Sequence, residues 1–189
     1  MLNRLALVPG SAPERGAYFW EPTVDGVPVR RLLRFADPED VGLDVLGLGP
    51  AGANVPAFVH SWFGPGVGAA LALLGEQPAV ELDLGRVPLY VCPSCGDMGC
   101  GAIGMRVERT ASTVTWREFR WETGPGDPDD DLCAVPGGPF VFDRAQHDAE
   151  VRRFVDTYDA ERAALPATVA LHEREPGARR AWWRWWGRG

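Results

Sequence analysis

Three of the four cysteines of the chain lie close together in the segment CPSCGDMGCG at positions 92–101. Cys92, Cys95 and Cys100 follow a C-x2-C-x4-C pattern, and its first half resembles the CPxCG turn of zinc ribbons and rubredoxin-like sites. Such a turn aims two sulfur atoms at one point, and its glycine lets backbone amides approach them. The segment is therefore a candidate zinc site.

The ligand set of this candidate site is incomplete, because a structural zinc ion takes four protein ligands. No side chain at a diagnostic spacing supplies the fourth ligand, and a partner subunit is one source of it. The other sources are metal-binding side chains elsewhere in the chain: Asp97, Cys133, His60, His147 and His172.

Two other interpretations of the cysteine segment stay open. In the redox interpretation, Cys92 and Cys95 form a dithiol and Cys100 acts as a resolving thiol. However, the glycines that follow do not start the helix that lowers a thiol pKa in thioredoxin-like proteins. Alternatively, the cysteines are small buried side chains at a hairpin tip, where Asp97 accepts amide hydrogen bonds.

The other motifs do not favour catalysis or nucleotide binding. The acidic run at 124–131 lacks the alternate spacing of a calcium loop, and no nucleophile elbow surrounds Ser61. No G-x-G-x-x-G follows a predicted strand, and a chain without lysine has no P-loop lysine. We therefore expect no nucleotide cofactor.

The C-terminal sequence ARRAWWRWWGRG alternates tryptophan with arginine. These residue types suit a protein interface, an anionic partner or a bilayer interface. Four exposed tryptophans on a monomer would promote aggregation, so docking is favoured over contact with a membrane surface. We expect Trp182, Trp183, Trp185 and Trp186 to contact another protein, a second copy or the domain itself.

Composition and charge limit the function classes. The 189 residues suffice for one domain with a core, and the net charge of −7 disfavours binding to nucleic acid. No apolar run is long enough for a signal peptide or a membrane span. We expect a cytoplasmic protein, in which thiols are reduced and clustered cysteines serve as ligands or redox groups.

Periodicity places the cysteine segment between two strands. VPLYVC (87–92), GAIGMRVERT (101–110) and STVTWREFRWE (112–122) predict three successive antiparallel strands. In the third strand the apolar phase slips by one residue, which predicts a β-bulge near 117–118. The cysteine segment then lies at the tip of the first hairpin.

Turn and cap signals define the other elements. Asp25-Gly26 predicts a hairpin turn, and Gly75 ends a predicted helix over 66–75. PFVF at 139–142 predicts an edge strand, and Asp143 caps a helix over 144–164 whose apolar side chains face the sheet. These apolar positions are Val151, Phe154, Val155 and Tyr158.

These elements predict an α+β fold, in which an antiparallel β-meander packs against a C-terminal helix. Residues 1–16 are expected to be a flexible lead-in, 17–166 a single α+β domain, and 167–189 a Trp/Arg-rich extension. The Gly- and Pro-rich stretch at 36–65 receives no assignment.

The run VPLYVCPSCGDMGCGAIGMRVERTASTVTWREFRWE resembles a bacterial family, common in actinobacteria, that carries LYVCxxCGDxGCGA followed by VER…VxWxxF. WEPTVDGVPVRRLL and GPFVFDRAQHDAEV extend the resemblance over roughly residues 17–155, whereas Cys133 lies outside the shared pattern. Members often carry a general oxidoreductase label. The resemblance implies that the cysteine segment is important for the protein, but it does not identify a reaction.

Two functions from different classes follow. The first is a non-catalytic protein-interaction domain in which the cysteine segment is a structural, zinc-binding element. The second is a thiol- or metal-dependent oxidoreductase that uses Cys92, Cys95 and Cys100. The sequence favours the first, because no complete acid–base set accompanies the cysteines.

Overall fold

The computed structural model describes residues 1–12, 17–33, 54–60, 65–78, 85–92, 96, 101–122 and 134–166. Within these residues the elements follow one another in this order: β1 (Leu5–Ala12), β2 (Ala17–Val24), β3 (Val27–Pro28), α1 (Val29–Leu32), β4 (Val55–Pro56), α2 (Val67–Leu74), β5 (Val87–Val91), β6 (Ala102–Arg109), β7 (Thr113–Glu122), β8 (Phe140–Asp143) and α3 (Arg144–Ala163).

The strands form two antiparallel sheets. One has the order β1-β2-β3 and the other the order β4-β5-β6-β7-β8. The predicted α+β class is confirmed, and so is the meander, which consists of β5, β6 and β7. Strands β4 and β8 lie at the two edges of the larger sheet, and α3 supplies the predicted C-terminal helix.

The predicted β-bulge is present in β7. Gly104 lies opposite Arg120 and Arg106 lies opposite Arg117, so three residues of β7 span the length of two residues of β6. Glu118 occupies the extra position with a φ of +52°. Because the bulge shifts the alternation by one residue, apolar side chains on both sides of it face the same core.

Two predicted turns also match the structure. Asp25 and Gly26 have φ values of +52° and +81° in the turn between β2 and β3, as a type I′ hairpin requires. Gly75 has a φ of +73° at the C-terminal end of α2, where an L side chain would be strained.

The predicted flexible lead-in over residues 1–16 instead contains β1. Leu5 and Leu7 are buried, and the strand pairs along its length with β2. The prolines and glycines of this segment suggested a loop, but an edge strand tolerates Pro9 because its missing amide is not needed for pairing.

Polar side chains of α3 cover the free edge of β1. Gln146 accepts a hydrogen bond from the Leu5 amide (3.1 Å) and donates to the Leu5 carbonyl (2.7 Å). Glu150 accepts from the Leu7 amide (2.6 Å), and Arg153 donates to the Leu7 carbonyl (2.6 Å). The helix therefore satisfies backbone groups that would otherwise template pairing with another strand.

Backbone hydrogen bonds join the two sheets at two places, and both sheets share one core with α3. The amide of Asn3 donates to the carbonyl of Val141 in β8 (2.6 Å), and the amide of Trp20 donates to the carbonyl of Phe58, which follows β4 (2.9 Å). From α3, Val151 and Phe154 are fully buried in this core.

Helix α3 begins and ends as its sequence predicts. Asp143 caps it by accepting from the amide of Gln146 (2.9 Å), and the helix ends at Ala163, shortly before Pro166. Among the described residues, no helix combines the length and the apolar character that crossing a bilayer requires.

Candidate functional site

The cysteine segment starts and finishes at neighbouring strand ends. Val91, the last residue of β5, lies opposite Ala102, the first residue of β6. Cys92 directly follows Val91 and Gly101 directly precedes Ala102, so both ends of the segment adjoin this paired position. The side chain of Cys92 is half-buried. The amide of Gly96 donates to the carbonyl of Cys92 at 2.9 Å.

Gly96 has a φ of +66°, in the left-handed region that favours glycine. This conformation and the bond to Cys92 fit the role that the CPxCG pattern assigns to its glycine. Cys95, Asp97 and Cys100 of the segment lie outside the described residues, and so does Cys133. Within the described ranges, no three metal-binding side chains cluster.

Gly101 makes a close contact that only glycine permits. A Cβ added to it would lie 2.1 Å from Cζ2 of Trp121, and its φ is +122°. Trp121 belongs to β7 and lies opposite Ile103 of β6. The indole therefore packs on the backbone at the point where the cysteine segment re-enters the sheet.

A buried ion pair lies in the same sheet. Arg86 Nη1 and Glu122 Oε1 are 3.1 Å apart, and the two side chains are 5% and 3% exposed. Glu122 lies opposite Ala102. The sequence does not predict this pair, because nothing in the pattern of β7 marks its last carboxylate as buried. The pair connects the end of β7 to the residue that precedes β5, and removal of either side chain would weaken the compensation of the other buried charge.

His147, one candidate fourth ligand, is fully buried and both its ring nitrogens are engaged. Trp116 Nε1 donates to Nε2 (3.2 Å), and Nδ1 lies 2.9 Å from Asp148 Oδ1, to which it donates. Arg109 holds the same carboxylate through Oδ2 (2.6 Å). The ring is thus a neutral structural link between α3 and the sheet, and burial lowers its pKa to about 4.

His60, a second candidate ligand, lies in a cage of aromatic rings. The ring centroids of Trp20, Phe154 and Tyr158 are 5.8, 4.8 and 5.2 Å from its own. Its Nε2 is buried, has no hydrogen-bond partner within the part of the chain that the structure describes, and lies 3.8 Å from Glu161 Oε2. Burial, and to a smaller extent Arg162, lowers the pKa of His60, while Glu161 opposes this change. Ser61 and His172 lie outside the described residues.

A further polar cluster, which the sequence does not predict, ties the two sheets together. The buried hydroxyl of Tyr90 donates to Glu21 Oε1 (2.9 Å) and accepts from the amide of Arg30 (2.9 Å). The Arg30 guanidinium contacts the same carboxylate at 2.5 Å. Burial, followed by the negative charge of Glu21, raises the pKa of Tyr90 well above its usual value.

In the cysteine segment, the observations that agree with the CPxCG pattern are the bond from Gly96 to Cys92 and the conformation of Gly96. Comparison with known proteins adds no relative: no protein-family model, curated protein or solved structure matches this chain. Function has to be argued from the residues themselves.

The burial of His147 predicts a stability that depends on pH. Its pKa is lowered from 6.5 to about 4, so between these pH values the unfolded chain binds a proton at His147 that the folded chain does not bind. The resulting stability is complete above pH 6.5 and is lost as the pH falls towards 4, by about 3 kcal/mol in total. Urea unfolding at a series of pH values measures this loss.

The matched variant is His147→Gln, which keeps an acceptor for Trp116 but does not titrate. We expect it to be less stable than the wild type at neutral pH and to lose less stability between pH 6.5 and 4. An equal loss in both proteins would contradict the assignment of this pH dependence to His147.

The contact between Gly101 and Trp121 predicts that Gly101→Ala destabilises the fold by about 3 kcal/mol, because a methyl group would overlap the indole. Gly26→Ala is the control: its φ of +81° also disfavours alanine, but nothing lies within 4 Å of the added Cβ. We expect a cost of only about 1 kcal/mol there. Equal costs in urea unfolding would show that Trp121 does not constrain this position.

Proposed function

We propose that this protein is a non-catalytic protein-interaction domain whose cysteine segment is a structural zinc site. The ligands are the thiolates of Cys92, Cys95 and Cys100, and a fourth group completes the tetrahedron. Cys133, Asp97, a histidine or a partner subunit supplies that group. We place the protein in the cytoplasm, where the thiols stay reduced.

The observation that carries the proposal is the bond from the Gly96 amide to the Cys92 carbonyl, with Gly96 in the left-handed conformation. A zinc knuckle needs a turn of this kind to direct two sulfurs at one ion. The pairing of Val91 with Ala102 supports the proposal further, because it brings the two ends of the cysteine segment close together.

The surroundings of the two described histidines also agree with a structural role for the site. Each nitrogen of His147 is occupied by a neighbouring side chain, and aromatic rings surround His60. A general base needs a nitrogen within reach of a substrate proton. These two side chains instead pack between α3 and the rest of the fold, which suits a structural role for them.

The proposed partner-binding segment is the sequence that contains Trp182, Trp183, Trp185 and Trp186. Tryptophan and arginine are the residue types that dominate the binding energy of protein interfaces. The arginines of this segment are opposite in sign to the net charge of the chain. We propose that it binds another protein or a second copy of this chain.

Elemental analysis of the untagged protein tests the zinc site. We expect about one zinc per chain and three thiols that react with an alkylating reagent only after chelation. Cys92→Ser should lower the zinc content strongly, whereas Cys133→Ser should lower it only if Cys133 is the fourth ligand.

Other outcomes separate the competing functions. Protein without metal whose three thiols are alkylated at once would contradict the proposal and favour the oxidoreductase. If the protein holds no metal and its thiols are protected from alkylation until it unfolds, the cysteines are buried side chains packed at a hairpin tip.

Replacing all four tryptophans at 182–186 by serine tests the partner-binding segment. We expect the wild-type chain to sediment as a dimer or with a co-purified protein, and the variant to sediment as a folded monomer. A matched control replaces Glu173 and Glu175, which precede this segment, by glutamine and should sediment as the wild type does. Tryptophan-dependent binding to anionic vesicles, without self-association, would contradict the proposal and favour a membrane surface as the partner.

A further inference from the structure

We propose that Asn54 and Trp121 are positioning residues of the cysteine site, which donate N–H hydrogen bonds to its thiolates when these bind the metal. This inference rests on the zinc site proposed above and adds two residues to it. It starts from two buried N–H groups, one near each end of the cysteine segment, that have no hydrogen-bond partner within the described part of the chain.

The first donor is the side-chain amide of Asn54, the residue that precedes β4. Asn54 is 8% exposed, and its Nδ2 is buried without a partner among the residues that the structure describes. The backbone of Asn54 is held in place, because Arg30 Nη1 donates to its carbonyl (3.0 Å). A buried donor without an acceptor costs free energy, so an acceptor that reaches Nδ2 would be favourable.

The register of the larger sheet places Asn54 beside the start of the cysteine segment. Val55 of β4 lies opposite Val91 of β5. Asn54 and Cys92 are the next residues of the two strands in this direction, and facing residues of an antiparallel pair have Cβ atoms about 5 Å apart. Nδ2 makes no bond to this sulfur in the structure, but a thiolate is a stronger acceptor than a thiol. Cys92 is therefore the cysteine that this amide serves.

The second donor is the indole of Trp121, at the other end of the segment. Its Nε1 is buried and has no partner within the described ranges. The edge of the ring that carries Nε1 lies against Gly101, since a Cβ on Gly101 would be 3.0 Å from Cε2, the carbon to which Nε1 is bonded. Cys100 immediately precedes Gly101 in the sequence. Cys100 is therefore the cysteine that this N–H serves.

The charge of a thiolate site explains why two such donors would be useful. Three thiolates carry more negative charge than one zinc ion neutralises, and hydrogen bonds from outside the ligand set stabilise and orient such ligands. An indole N–H and a side-chain amide donate without adding a charge. Packing alone does not require either donor, because a phenyl ring also covers Gly101 and leucine has nearly the volume of Asn54.

Zinc competition with a chromophoric chelator, on the full-length protein, tests this proposal. Trp121→Phe keeps an aromatic ring near Gly101 but removes the N–H, and Asn54→Leu removes the amide. We expect each variant to hold zinc about tenfold more weakly than the wild type, as loss of a hydrogen bond to a metal ligand does at other sites. After substitution of Co²⁺ for zinc, the sulfur-to-metal charge-transfer band of both variants should move to lower energy, because their sulfurs have lost a donor.

Trp116→Phe is the matched control, because it removes an indole N–H from the same strand but one that donates to His147. It should destabilise the fold and leave both the zinc affinity and the Co²⁺ band nearly as in the wild type. If Trp121→Phe and Asn54→Leu match this control in both measurements, the two donors do not serve the sulfurs, although the zinc site itself stands. Wild-type protein that takes up neither zinc nor Co²⁺ would overturn the zinc site and this inference together.

Discussion

The antiparallel pairing of β5 with β6 is the interaction on which the rest of the structure depends. It places Val91 opposite Ala102 and so fixes where the cysteine segment leaves and re-enters the sheet. On the other side of β6, β7 brings Trp121 onto Gly101. An antiparallel ladder specifies such positions strongly, because a shift of one residue would turn every side chain to the opposite face.

Helix α3 depends on this sheet and in turn completes the smaller one. Its apolar side chains fill the core, while Gln146, Glu150 and Arg153 supply hydrogen bonds to the edge of β1. His147 links the helix to Trp116 of β7 in the same manner. The helix thus replaces a neighbouring strand for β1, and this arrangement leaves less free edge for association with other chains.

The elements that the sequence predicted well are those with strong local signals. The bulge at Glu118 followed from a slip in the apolar alternation, and the I′ turn from Asp25-Gly26. The cap at Asp143 followed from its place before a helical pattern. Each of these depends on a few consecutive residues, so the chain itself carries the information.

Long-range polar contacts had no such signal. Strand β1 was mistaken for a lead-in because its hydrogen bonds come partly from side chains more than 140 residues away. The buried pair of Arg86 with Glu122 and the cage around His60 likewise join distant segments. In the cysteine segment the residue types suggested a metal site. The identity of the fourth ligand could not be predicted, because it depends on which distant residue the fold brings near the three cysteines.

X-ray absorption at the zinc edge of the purified full-length protein tests the central claim most directly, because it counts the ligand atoms around the ion. The account predicts a bound zinc with three sulfur neighbours at about 2.3 Å and a fourth ligand, or four sulfurs if Cys133 completes the site. The sulfur shell should shrink in Cys92→Ser. A protein that holds no zinc, or zinc surrounded by nitrogen and oxygen alone, would contradict the account.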